Sequence, residues 1–326
     1  MRTIGMAKIV PRKDVDRDKW NCFVDEHDLG VWWYRMEWLD YCQAYRGGID
    51  LSFAVLDHDG KILAVFPYRV EGDRFALGGS PILCALIGEI HPMEMPLFQS
   101  SVGLMIERQA VSHHIQTSEM MMVPMAREPV AADQFTCDGL VTVDTSFATR
   151  VIDLTVPEAQ RWSAVRKSYH QLIRRGGERV TVAKPEDYPD PMGTYACLHQ
   201  GHYGPVRSQA TYDLQASWLA SGAARPYILL DHGVPVGAVV WYCYKGRAYY
   251  ASAVYLEDNL AHAAIWESLN DLAANGIRLA EMGWQQRAVG QKAQAIEFFK
   301  RGFGGEDWKV QCLKRYFLTD QREGQA

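Results

Sequence analysis

At 326 residues the chain is about twice the length of an ordinary domain, which predicts two domains. Hydrophobic residues at 48% and charged residues at 22% exclude a disordered chain, and a formal net charge of −5 argues against nucleic-acid binding by phosphate neutralisation alone. The seven cysteines are scattered without a C-x-x-C pair, which fits reduced cytosolic thiols rather than a disulfide framework or a structural zinc site.

In chain order, the first ten residues lack the apolar core of a signal peptide. Trp38, Leu39, Tyr41, Cys42 and Tyr45 recur at helical spacing. The segment from Phe53 to Gly60 leads through an Asp/Gly turn into Lys61–Gly72 and then Arg74–Leu77, which reads as three strands joined by tight turns. The most apolar stretch, Gly78 to Ile90, is short and broken by Gly and Pro, so no membrane span is expected and the protein is expected to be soluble and cytoplasmic. His113-His114 and the methionine-rich run from Met120 to Met125 read as irregular core or strand. A domain boundary is expected near Phe147–Leu154, giving domains over 1–150 and 151–326.

The strand–turn–strand pattern then returns. Tyr227–Gly233, Val234–Gly246 and Arg247–Ala251 repeat the earlier segment without a gap: Asp57 falls on Asp231, Gly72 on Gly246, and Leu56, His58, Ala64, Val65 and Tyr68 find identities at the same offset. After the second copy a helix near Ala261–Ala274 stops at Asn275-Gly276. A strand Ile277–Gly283, a helix near Lys292–Lys300 and a last strand near Val310–Phe317 follow. Three antiparallel strands, helix, strand, helix and strand is the order of acetyltransferase-type α/β domains.

Three segments carry candidate chemistry. In Trp162–Gly177, Val165, Tyr169, Leu172 and Ile173 make one buried face of a helix. Arg166, Lys167, Arg174 and Arg175 are the cations around it, and they either grip a phosphate or line a solvated face. In Leu198–Tyr212, read as a Gly/Pro-rich loop, His199 and His202 are candidate general bases or satisfied turn histidines, and no metal-ligand spacing accompanies them. In Glu281–Gly290 and Lys292–Gly305, polar groups leave a strand end and an amphipathic helix closes with Phe299-Lys300. Lys300 is placed either to stabilise an oxyanion or to complement the helix dipole.

Together these segments resemble the FemABX-type branch of the GNAT superfamily, most specifically in Arg166-Lys-Ser-Tyr169, Arg207-Ser208, Glu281-Met-Gly283 and Phe299-Lys300-x-Gly-Phe-Gly304. The resemblance implies an α/β (α+β) fold of two tandem GNAT-like domains, each a mixed central sheet flanked by helices. It implies an N-acyltransferase, acting on an amine of an amino sugar or nucleotide-linked intermediate of surface-polysaccharide assembly, with acyl-CoA as donor. Phe299 and Lys300 would lie by the reacting carbonyl, and Arg166, Lys167 or Arg174 would contact acceptor phosphate. Lys300, His202 and Glu281 are thus the expected catalytic residues. Arg166, Lys167, Tyr169, Arg174, Arg207, Ser208, Trp284, Lys292 and Phe299 are the expected substrate contacts, with the cleft between the halves. Two departures stand out: the charged helical hairpin associated with tRNA has no counterpart, and the acidic Leu256–His262 stands where GNAT enzymes carry a glycine-rich pyrophosphate loop. An aminoacyl-tRNA-dependent ligase and a non-catalytic ligand-binding protein are the alternatives.

Overall fold

The computed structural model describes residues 7–88, 90, 95–121, 141–257, 259–285, 287 and 290–317. The chain divides into two compact units, one of residues 1–146 with 309–326 and one of residues 147–308. Most of the run from Met120 to Met125 lies outside the described residues, as do Cys137 and Asp258.

The first unit opens with β1 (Lys8–Pro11), α1 (Arg17–Glu26), α2 (Met36–Arg46), β2 (Ile49–Asp50), β3 (Phe53–Leu56) and β4 (Ile62–Phe66). It continues through β5 (Arg69–Glu71), β6 (Arg74–Ala76), β7 (Ile82–Leu83), β8 (Leu86–Ile87), α3 (Met95–Ser112), β9 (Thr117–Met121) and β10 (Val141–Asp144). The expected hairpin forms as β3 against β4. The strand then breaks at Pro67, which has no N–H to give a ladder, and β4 and β5 enter different sheets. β6 pairs in parallel with β9 at Arg74 and Phe75 only; from Ile82 onward β7 takes over the pairing with β9. The space into which β6 and β9 would diverge is therefore filled by the chain itself, with Ile82 and Leu83 fully buried.

The second unit runs β11 (Phe147–Asp153), α4 (Glu158–Ala164), α5 (Lys167–Arg179), β12 (Val180–Ala183), α6 (Pro191–Tyr203), α7 (Gln209–Ser217) and β13 (Ala224–Asp231). After these come β14 (Val234–Tyr244), β15 (Arg247–Tyr255), α8 (Ala261–Ala274), β16 (Leu279–Gln285), α9 (Gln291–Arg301) and β17 (Glu306–Val310). Its seven strands order as β12-β13-β14-β15-β16-β11-β17. Tyr227, Leu229, Val239 and Trp241 meet Ile265, Leu269 and Leu272 of α8 in a continuous core. Burial of such side chains, at about 1.5–3 kcal/mol each, is what holds α8 to the sheet. The Trp241 indole satisfies its N–H on Ser268 Oγ at 3.0 Å.

Three sequence expectations change. The final strand, β18 (Cys312–Tyr316), belongs to the first unit, where it pairs with β9 and β10. The single helix expected over Trp162–Gly177 is two, α4 and α5, because Val165 and Arg166 adopt extended ψ and the Arg166 N–H donates to the Gly302 carbonyl at 2.8 Å. The expected loop around His199 and His202 is the end of α6. Asp190 caps that helix by accepting from the Gly193 N–H, Pro191 presets its first turn, and Gly204 at φ 75° ends it. Among the described residues no helix is long and apolar enough to cross a membrane.

Candidate active site

The second unit contains an interruption in its sheet. β15 and β16 are parallel and pair only from Arg247–Tyr249 to Leu279–Glu281; beyond that the two strands part. On its other edge β15 carries a bulge: Val240 faces Ser252 and Trp241 faces Tyr250, leaving Ala251 without a partner in the ladder. Bulges bend a strand and release a backbone N–H from pairing.

Lys300 reaches this point from α9. Its Nζ lies 5.4 Å from the centre of the Tyr250 ring. A Cβ placed on Gly283 would stand 2.9 Å from that nitrogen and 3.8 Å from the Tyr249 hydroxyl. Gly283 has φ +94°, so its backbone and the lysine both select glycine. Two residues earlier on the same strand, across a bulge at Met282, Glu281 is 2% exposed and accepts a hydrogen bond from Thr149 Oγ1 at 2.6 Å. Burial pushes the Glu281 carboxyl up to about 7, opposed by the Thr149 bond and by the charges of Lys300 and Arg247. Burial also lowers the Lys300 ammonium, which Glu281 and Glu297 partly restore.

The glycine-rich end of α9 positions that lysine. Phe299 faces the opposite way, with its ring 5.1 Å from His262 and 5.3 Å from Phe303, while Tyr169 stands 4.4 Å from His262. The Tyr169 hydroxyl donates to the Phe299 carbonyl at 3.3 Å. Its ring lies flat on the chain at Gly302, where an added Cβ would come within 2.0 Å of Tyr169 Cε2. Gly302→Ala must therefore displace the ring or α9. We expect it to cost about 1–3 kcal/mol, lowering Tm by roughly 3–10 °C in a thermal melt.

Arg166 fastens the other side. It donates to the Tyr169 hydroxyl at 3.0 Å and to the Phe298 carbonyl at 3.1 Å, with its guanidinium 3.7 Å over the Phe298 ring. Beyond the bulge, Arg207 donates to Tyr195 Oη at 2.8 Å and to Ser252 Oγ at 3.3 Å, and Tyr195 donates to Ser252 at 2.8 Å.

Of the expected site residues, Lys300 rests against Gly283 and Glu281 lies two residues before that glycine, while Arg166, Tyr169 and Phe299 brace the end of α9. Arg207 joins Ser252 at the bulge, whereas Ser208 precedes α7 and bonds Thr211 at 2.8 Å. Trp284 lies tilted against Phe147, ring centres 4.9 Å apart, with the Arg287 guanidinium 5.2 Å from its ring. Lys167 and Arg174 are exposed on α5 and Lys292 is exposed on α9. His202 is exposed at the end of α6 with its ring edge-on to Tyr203. His199 is buried, bonded through Nδ1 to the Tyr212 hydroxyl at 3.0 Å, and burial lowers it to about 4. Thr149, Tyr195, Tyr249 and Tyr250 escape sequence reasoning: each is an ordinary strand or helix residue until the fold brings its partner across.

In the Leu256–His262 segment, Glu257 is ion-paired with Arg179 at 2.5 Å. The first turn of α8 is covered, with Ala261, His262 and Ala263 at 6%, 8% and 0% exposure.

No curated protein matches the chain by sequence. The sequence model of the family described as Acetyltransferase (GNAT) domain matches residues 159–309. Among solved structures, FemX is similar at TM-score 0.65 and 11% identity, over 96% of this chain and 98% of that one. L-PGS from Bacillus licheniformis is similar at TM-score 0.59 and 12% identity, over 94% of this chain and 93% of that one. At such identities the likeness is one of fold. A domain of this type generally draws its acyl group from acyl-CoA. Residues 159–309 thus match the GNAT acetyltransferase domain family, and the match supports an acyltransferase activity.

Proposed function

We propose that the chain moves an acyl group from acyl-CoA onto an amine, and that the reacting carbonyl sits where β15 and β16 part. The observation that carries this reading is the Lys300 ammonium lodged over Gly283 at that opening. A carbonyl entering there meets a fixed cation on one side and the N–H groups of the β15 bulge near Ser252 on the other. Both are preorganised for an oxyanion. The amine nitrogen attacks the carbonyl carbon, the C–N bond forms, and the thiol leaves; no covalent enzyme intermediate is required. Holding the two reactants together supplies much of the rate.

The acceptor we infer is an amino sugar or nucleotide-linked intermediate of cell-surface polysaccharide assembly. Exposed Lys167, Arg174 and Lys292 are suited to its phosphates, and Arg207, Ser208 and Trp284 to its polar and ring surfaces. The test is a thermal-shift and calorimetric titration with acetyl-CoA, free CoA and nucleotide-linked amino sugars, followed by a thiol-release assay. Binding must raise Tm by mass action. Because β7 fills the corresponding gap in the first unit, we expect one donor equivalent per chain; two equivalents would refute that reading of the first unit.

A second donor, aminoacyl-tRNA, is favoured by one observation: the covered first turn of α8 with acidic Glu257 before it. No Tm response to any CoA species, together with RNase-sensitive transfer in a coupled assay, would replace acyl-CoA by that donor.

A further inference from the structure

Two donors converge on one oxygen at the β15 bulge, and their directions fix a third. Arg207 can only donate, and it gives one N–H to Tyr195 Oη at 2.8 Å. Tyr195 turns its own hydrogen to Ser252 Oγ at 2.8 Å, where a second Arg207 N–H arrives at 3.3 Å. A hydroxyl oxygen accepts two hydrogen bonds, so the Ser252 oxygen is filled. Its hydrogen must point elsewhere, and among the described residues the Ser252 hydroxyl accepts without donating.

The relay is held rigidly at one end and open at the other. Tyr195 is fully buried on α6, with its ring 5.4 Å from His199 and 6.0 Å from Tyr212. Ser252 is only half-buried, so a ligand can reach it. It follows the unpaired Ala251 and lies beyond Tyr249, where the pairing of β15 with β16 ends. Tyr250, whose ring centre is 5.4 Å from the Lys300 nitrogen, stands near enough to Tyr195 to be influenced by its hydroxyl. The relay and the lysine thus meet around the same stretch of β15.

We propose that Ser252 is a catalytic residue whose hydroxyl donates to the reacting carbonyl oxygen, and that Arg207 and Tyr195 are the positioning residues that aim it. The inference rests on the acyl-transfer reading of this site, and it gives Arg207 a second role beside the acceptor contact inferred above. The serine keeps its proton throughout. Its hydrogen bond strengthens as the carbonyl oxygen gains charge on attack. It relaxes when the bond to the leaving sulfur or oxygen breaks and the carbonyl re-forms. The guanidinium at the far end polarises both hydroxyls in the direction that favours an anion.

The test has two arms. In the first, substrate-free protein labelled with ζ-13C tyrosine is compared with its variants, and the Tyr195 signal is the one missing from Tyr195→Phe. We expect Ser252→Ala and Arg207→Gln each to move that signal, because each removes a partner of the Tyr195 hydroxyl. A signal that ignores either substitution overturns the relay. In the second arm, transfer is measured at saturating acceptor. Ser252→Ala should lower kcat and kcat/KM together by about 10- to 100-fold, the size of one hydrogen bond to a charged oxygen, with the donor KM within about twofold. Tyr195→Phe and Arg207→Gln should each lower kcat by about 3- to 10-fold, and neither should lower it further in Ser252→Ala. Wild-type kcat in Ser252→Ala, a rise in KM alone, or losses that simply add overturn the assignment and leave the acyl-transfer reading standing. Wild-type protein that transfers from neither acyl-CoA nor aminoacyl-tRNA sinks both.

Discussion

Lys300→Met abolishes transfer, lowering kcat by about 100- to 1,000-fold, the usual consequence of removing one preorganised oxyanion donor. The variant should remain folded. Methionine matches the lysine stem in length and packs against the Tyr250 ring that the ammonium now approaches at 5.4 Å. It also removes a cation that burial already disfavours, so an unchanged or slightly higher Tm is expected alongside the lost activity. Lys300→Arg is the sharper companion variant. The forked guanidinium is too broad for the space over Gly283, where a single added carbon would come within 2.9 Å of the nitrogen. Charge alone therefore does not restore the rate. A Lys300→Met enzyme that keeps wild-type kcat would remove the lysine from the chemistry and leave α9 with a purely structural end.

Much of this site can be read in the sequence because the end of α9 compresses several constraints into consecutive residues. Phe299 and Phe303 join the aromatic layer, Lys300 turns to the opening between the strands, and Gly302 admits Tyr169. The bounds of α8 are legible for a similar local reason, since Asn275-Gly276 stops the helix where the apolar spacing ends. What stays hidden depends on partners distant in the chain. The break between α4 and α5 is invisible because Val165, Tyr169 and Ile173 are buried on either side of it, and the apolar spacing runs straight through. Only the contact of Arg166 N–H with Gly302 shows why the helix is interrupted there. α6 is obscured by its own capping chemistry, because Pro191, Gly193, Gly201 and Gly204 give a helical segment the composition of a loop. Thr149 and Glu281 stand 132 residues apart. Nothing about a threonine in a strand announces that it will meet a carboxyl. The closed gap in the first unit is likewise a consequence of pairing order, with β7 rather than β6 continuing along β9, and no residue pattern encodes that order.

Glu281→Gln should make the protein more stable at pH 8. The folded carboxyl sits near 7 while an unfolded glutamate ionises near 4.5. Between these values the folded state holds a proton that the unfolded state has released, so raising the pH through this window favours unfolding. A group of this kind supports the fold fully below about pH 4.5 and ceases to do so as pH rises past 7. Glutamine keeps the shape and still offers an oxygen to Thr149, but it never has to ionise inside the sheet. The gain is offset in part because Lys300 then loses the anion that sustains its charge and gives up its proton more readily. We expect a net stabilisation of about 1–3 kcal/mol at pH 8 that all but vanishes by pH 4, read from urea denaturation of both proteins at the two pH values. A stabilisation equal at both pH values would mean that Glu281 does not titrate in the folded protein. A loss at pH 8 would mean that the charges of Lys300 and Arg247 outweigh the burial of the carboxylate. In either case ionising the carboxyl would be no burden on the fold, whereas the expected pattern marks a buried carboxyl kept at a stability cost.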